Sequence, residues 1–149
     1  METQKTATAI NDLIIINNDR YEGYKKAADE IKDADLKSMF TEFSNQSRQF
    51  AAELKKFVPE SKDAAGHETK NSGKLYRIWM DFRAAVSDHD HKAILSSCEF
   101  GEDAAKKTYE DAIEHSGDLP AGARETIRKQ RADLQKAHDT VKSMRDAIL

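Results

Sequence analysis

The sequence predicts an all-α protein: four long helices bundled in up-down-down-up order, with a short extra helix in a long crossover. Three observations predict it. Apolar residues recur at helical spacing through four long segments. Charged residues make up 34% of the chain, against only two prolines and six glycines, a mix that suits solvated helices rather than a sheet. The connections are unequal, because two are short and the middle one is long. A chain of 149 residues is enough for one domain with a real core, so residues 1–149 form a single unit.

The first helix is expected from about Thr8 to Ile31. Its apolar stripe holds Ile10, Leu13, Ile14, Tyr21, Tyr24, Ala28 and Ile31, and Asp12, Asp19, Glu22, Lys26 and Asp29 form the solvated face. Asn17 interrupts the stripe, and Ile15 points away from it. Asp33 or Asp35 is the expected N-cap of the second helix. That helix runs to about Phe57 with Leu36, Met39, Phe40, Phe43, Phe50, Ala51, Leu54 and Phe57 inward, Ser47 at the centre of the stripe and Gln46 on its edge. Pro59 ends it. Residues 58–73 are polar and aperiodic, which predicts a mobile surface loop. Residues 74–86 predict a short amphipathic helix with Leu75, Ile78, Trp79, Phe82 and Val86 on one face.

The third long helix is expected between Ser87 as N-cap, with Asp90 at capping-box spacing, and Gly117 as terminator. Ile94, Leu95, Cys98, Ala105, Tyr109, Ala112 and Ile113 share its inner face with Glu102. Leu119-Pro120 opens the fourth, whose inner face is Ile127, Gln130, Leu134, His138, Val141 and Ile148. Short connections make helices one and two, and helices three and four, antiparallel hairpins. A helix of about 20 residues spans roughly 30 Å. The crossover at residues 58–86 is long enough to run that length and return the chain at the far end, which sets the up-down-down-up order.

Composition excludes several roles. Net charge is −3, which argues against a general nucleic-acid binder. Cys98 is the single cysteine, so neither an intrachain disulfide nor a CxxC metal knuckle can form. No apolar run reaches the roughly 20 residues a membrane span needs, and the N-terminus lacks a signal-type apolar block. A soluble cytoplasmic protein is the expectation.

Glu102 is the most informative residue. A carboxylate in mid-core is costly unless it is paired. The bland expectation is a central hydrogen-bond network of Asn17, Tyr24, Gln46, Ser47, Glu102, Tyr109 and Gln130, with Arg131 as counter-ion. The sharper one is a metal site using Glu102 with Glu99 or His138. Amides and a hydroxyl are weak metal ligands, which favours the network. Register places His138 about a turn from Glu102, near Leu95, Cys98 and Glu99.

The segments INDLIIINNDRYEGYKKAADEIKDADLKSMFTEFSNQSRQFAAEL, WMDFRAA, CEFGEDAAKKTYEDA and LQKAHDTV resemble an uncharacterised bacterial family of small ferritin-like four-helix bundles. That resemblance implies a site for two iron or manganese ions, with ferrous oxidation or peroxide reduction as typical activities. The group's ligands are a Glu from each of two helices and a Glu-x-x-His from each of the others. Here the pattern is degraded. Asn17 stands seven before Tyr24 just as Glu102 stands seven before Tyr109, like a duplicated hairpin in which one ligand Glu is lost. Gln46 and Ser47 replace the second helix's motif, and Gln135-x-x-His138 is a degenerate version in the fourth. The reading therefore leans to a non-catalytic, stress-associated or interaction protein with no catalytic residues and no cofactor. The alternative is an iron- or manganese-binding oxidase or peroxidase. A storage cage is not expected. If Ile15, Tyr76 and Met80 share a surface, they would support a weak homodimer.

Overall fold

The computed structural model describes residues 2–58, 80–82, 84, 85, 87, 90–115 and 119–148, and all the regular structure among them is helical. The long helices are α1 (Glu2–Glu30), α2 (Ala34–Lys55), α3 (His91–His115) and α4 (Ala121–Asp146). None of them is long and apolar enough to cross a membrane.

The ends follow the local chemistry. Asp33 has extended backbone and its carboxylate accepts from the Leu36 amide at 2.9 Å, which caps α2. At the start of α3 the cap is Asp90, whose Oδ1 accepts from the Ala93 amide at 3.1 Å while its carbonyl accepts from Ile94 at 2.9 Å. Ser87, the expected cap, is itself helical and does not cap α3. Pro120 precedes α4 without a side-chain cap, and its carbonyl takes the Arg124 amide at 3.0 Å. The α1 helix starts at Glu2 rather than Thr8, and α2 ends at Lys55.

The hairpins α1–α2 and α3–α4 pack most closely; α1 meets α3, and α2 meets α4, more loosely. Cross-helix contacts give the directions. Asn17 meets Tyr109 while Arg20 and Tyr24 meet Glu102, so α1 and α3 are antiparallel. Phe50 and Glu53 meet Gln130 while Phe57 meets Gly122, so α2 and α4 are antiparallel too. The order is thus up, down, down, up. Of the predicted loop and crossover helix, residues 59–79, 83 and 86, and with them Leu75, Ile78, Trp79 and Val86 of its predicted face, lie outside those described. The described crossover residues are helical, and Phe82 is fully buried with its ring 5.6 Å from Tyr24 and 5.2 Å from Phe40.

Two expectations about α1 are corrected. Ile15 belongs to the core at 9% exposure rather than pointing outward, so it cannot contribute to a surface patch with Met80, which is 43% exposed. Asp12 and Asp19, expected on the solvated face, are half-buried, and burial pushes the Asp19 carboxyl up to about 6. The α1 helix is therefore covered on more of its circumference than an amphipathic reading allows.

Candidate functional site

Four helices contribute to one buried polar chain at mid-height. Each seam has alternating three- and four-residue steps: Leu13, Asn17, Arg20, Tyr24, Ala27 on α1 and Leu95, Cys98, Glu102, Ala105, Tyr109 on α3. All of these side chains are buried. Such steps keep one face inward as the helix turns, so polar members of the seam are carried into the core with their apolar neighbours. Antiparallel α1 and α3 then pair reciprocally. Tyr24 Oη donates to Glu102 Oε1 at 2.5 Å, and Asn17 Nδ2 donates to Tyr109 Oη at 2.7 Å. The polar residue and the tyrosine two turns along exchange partners across a local two-fold.

The counter-ion of Glu102 is Arg20. Its Nε donates to Glu102 Oε1 at 2.9 Å, with the two side chains 1% and 0% exposed. Nη1 donates to Ser47 Oγ at 2.8 Å and to the Phe43 carbonyl at 3.2 Å. The guanidinium carbon lies 5.2 Å from the ring centres of both Tyr24 and Phe43, within cation–π range. Burial opposes the Arg20 charge, but Glu102, with the nearby tyrosines adding, more than offsets it, so the guanidinium is held above its ordinary value. Ser47 passes the chain on by donating to Asn17 Oδ1 at 3.0 Å. Tyr109 donates to Gln130 Oε1 at 2.6 Å, and Gln130 Nε2 reaches the Phe50 carbonyl at 3.3 Å and Glu53 Oε1 at 3.1 Å. Glu102 Oε2 and Arg20 Nη2 are buried without a hydrogen-bond partner.

Burial, reinforced by Glu102, pushes the Tyr24 hydroxyl and the Cys98 thiol well above their ordinary values; burial also raises Tyr109. None of the three is an anion at neutral pH. Cys98 is fully buried and inert to solvent.

Two expected members of the network are placed elsewhere, and so is the histidine of the metal alternative. Arg131 pairs with Glu110 at the surface, one position round α4 from Gln130 and on the wrong side to reach Glu102. Gln46 is half-buried at the α2–α4 groove, and its Oε1 has no hydrogen-bond partner. Glu102 does not share a site with His138. His138 instead lies between α3 and α4 with its Nε2 3.6 Å from Glu99 Oε1 and 3.0 Å from Asp103 Oδ1. Gln135 faces Lys106 and Asp139 at that edge.

Arg20 and Asp103 are the residues that sequence reasoning missed. The signal for Arg20 was present: it stands three after Asn17 and four before Tyr24, on the seam itself. The stripe drawn through apolar residues and Asn17 left Arg20 out. Asp103 follows Glu99 by one helical turn, which puts both carboxylates on one flank.

Residues 5–115 match the family described as Domain of unknown function (DUF2383), and the chain belongs to that family. No curated protein matches it.

Proposed function

We propose that this chain is a non-catalytic ferritin-like bundle, in which a protein cation has taken the place of a metal centre and the fold is retained for interaction or stress-associated binding rather than chemistry. The observation that carries this reading is the Arg20–Glu102 pair. A di-metal centre needs several anions converging on one point. Among the described residues, Glu102 is the one fully buried carboxylate in this core, and Arg20 neutralises it at 2.9 Å. The remaining groups at that level are Asn17, Ser47 and Gln130, which are neutral, and two tyrosines that burial keeps protonated. A metal ion entering there would confront a fixed guanidinium, and displacing Arg20 would strand a charge in the core.

Ferrous oxidation tests the reading. Protein supplied with Fe2+ in air should oxidise it no faster than buffer, and Glu102→Gln should not change the rate. Oxidation well above buffer that disappears in Glu102→Gln would make the centre a working metal site and end this proposal.

A further inference from the structure

About one turn from the central pair, the α3–α4 edge carries a different arrangement. Glu99 and Asp103 are one turn apart on α3, and His138 reaches them from α4. One donor atom from each lies within 4.8 Å of the others. The contacts to His138 Nε2 are 3.0 Å from Asp103 Oδ1 and 3.6 Å from Glu99 Oε1. Tetrahedral coordination with bonds of about 2 Å sets donor atoms about 3.3 Å apart, so these separations bracket the required one.

The other ring nitrogen is oriented as well. His138 Nδ1 lies 3.1 Å from Asp139 Oδ1, and that oxygen also accepts from Gln135 Nε2 at 2.9 Å. Gln135 Oε1 is in turn held by Lys106 Nζ at 2.9 Å. Metal-bound histidines use this second hydrogen bond to fix the tautomer and turn the free lone pair on the ion. With Nδ1–H donated to Asp139, a neutral ring would aim its Nε2 lone pair at two anionic oxygens. A metal ion between them would accept that lone pair and neutralise both oxygens. Arg145 holds Glu99 through Oε2, which leaves Oε1 turned toward the imidazole. Lys106 stands off Asp103 at 3.6 Å, a loose contact that an ion could displace. The histidine side chain is 12% exposed and Asp103 50%, so the cluster is anchored on one side and open to solvent on the other. That opening admits both an ion and the water that would complete its shell.

We propose that Glu99, Asp103 and His138 form a binding site for one first-row divalent transition-metal ion of the zinc class, with Asp139 positioning the imidazole. The donor set decides the class. An imidazole nitrogen with two carboxylate oxygens suits zinc, cobalt or nickel, whereas magnesium and calcium require mainly oxygen shells. This site is independent of the central pair, so it stands or falls apart from the reading of Glu102.

Calorimetric titration of the full chain with Zn2+, Co2+ and Mg2+ tests it. One equivalent of Zn2+ should bind, Co2+ should develop visible d–d absorption, and Mg2+ should give no heat. His138→Gln and Asp103→Asn should each weaken Zn2+ binding by at least about tenfold, and Asp139→Asn by about tenfold. Asp103 is half exposed, so its variant keeps the fold, which far-ultraviolet circular dichroism checks. Absence of Zn2+ binding would overturn the proposal. Undiminished binding in both His138→Gln and Asp103→Asn would also overturn it by assigning the ion to other histidines.

Discussion

Glu102 and the pair Glu99–Asp103 are near neighbours on α3, yet they do opposite things. Glu102 points inward, is fully buried and is held by Arg20 and Tyr24. Glu99 and Asp103 lie on the flank facing α4, share His138 and remain partly open to solvent. The chemistry of the three carboxylates is the same; a rotation of about 100° per residue separates them. In the core a charge must be matched by a permanent partner, because desolvation makes a vacancy costly. At the edge, water screens the charges, so an unpaired carboxylate costs far less. The comparison teaches that position around the helix, rather than residue type, decides whether a carboxylate is structural or available.

The largest expected effect comes from breaking the core half. Arg20→Met should destabilise the protein by about 3–5 kcal/mol, because Glu102 would remain as a buried unpaired charge. Adding Glu102→Leu should recover most of that loss, since both charges are then gone. Urea unfolding of the two singles and the double gives the coupling directly. A single variant as stable as wild type would show that the pair is not holding the core.

Asp19 sharpens the comparison, because it is a half-buried carboxylate with no ion pair among the described residues. Burial raises it from 3.8 to about 6. Between those values the folded state keeps a proton that the unfolded chain has shed, so this group makes stability fall as pH rises through that window. The destabilisation is complete above about 6 and absent below about 4. Allowing for its partial exposure, Asp19→Asn should stabilise the fold by roughly 1–2 kcal/mol at pH 7. The gain should vanish at pH 4. Unfolding curves for both proteins at the two pH values measure it, and an equal gain at both would mean that the effect is not electrostatic.

The smallest effect belongs to Arg131. Its pair with Glu110 is solvent-facing at 33% and 47% exposure. Arg131→Ala should therefore change stability by less than about 1 kcal/mol. A loss comparable to that of Arg20→Met would reverse the assignment of the counter-ion.

Much of the helical plan was legible in the chain. The stripes through Ile10–Ile31, Leu36–Leu54, Ile94–Ala112 and Ile127–Val141 marked the four long segments, because helical spacing is a local property. A capping aspartate before α2 was legible for the same reason, and of the two candidates, Asp33 and Asp35, it is Asp33 that makes the bond. The start of α3 was misplaced at Ser87, with Asp90 read as the third residue of its capping box; Ser87 is helical, and the cap bonds are made by Asp90 itself. Ile15 was misassigned because its burial depends on what covers the second face of α1, which periodicity within α1 does not encode.

The candidate site divides along the same line. By itself, the sequence determined that polar residues would be carried into the core at Asn17, Ser47, Glu102 and Gln130, because seam positions follow from helical spacing alone. Tertiary structure decided who pairs with whom. Arg20 and Arg131 both had the charge to neutralise Glu102. The antiparallel packing of α1 on α3 brought Arg20 to 2.9 Å, while α4's rotation turned Arg131 to solvent. It also brought His138 against Glu99 and Asp103 rather than Glu102. The physical reason is that burial is set by a residue's own helix, whereas pairing depends on the register and rotation between helices, which arise from contacts far apart in the chain.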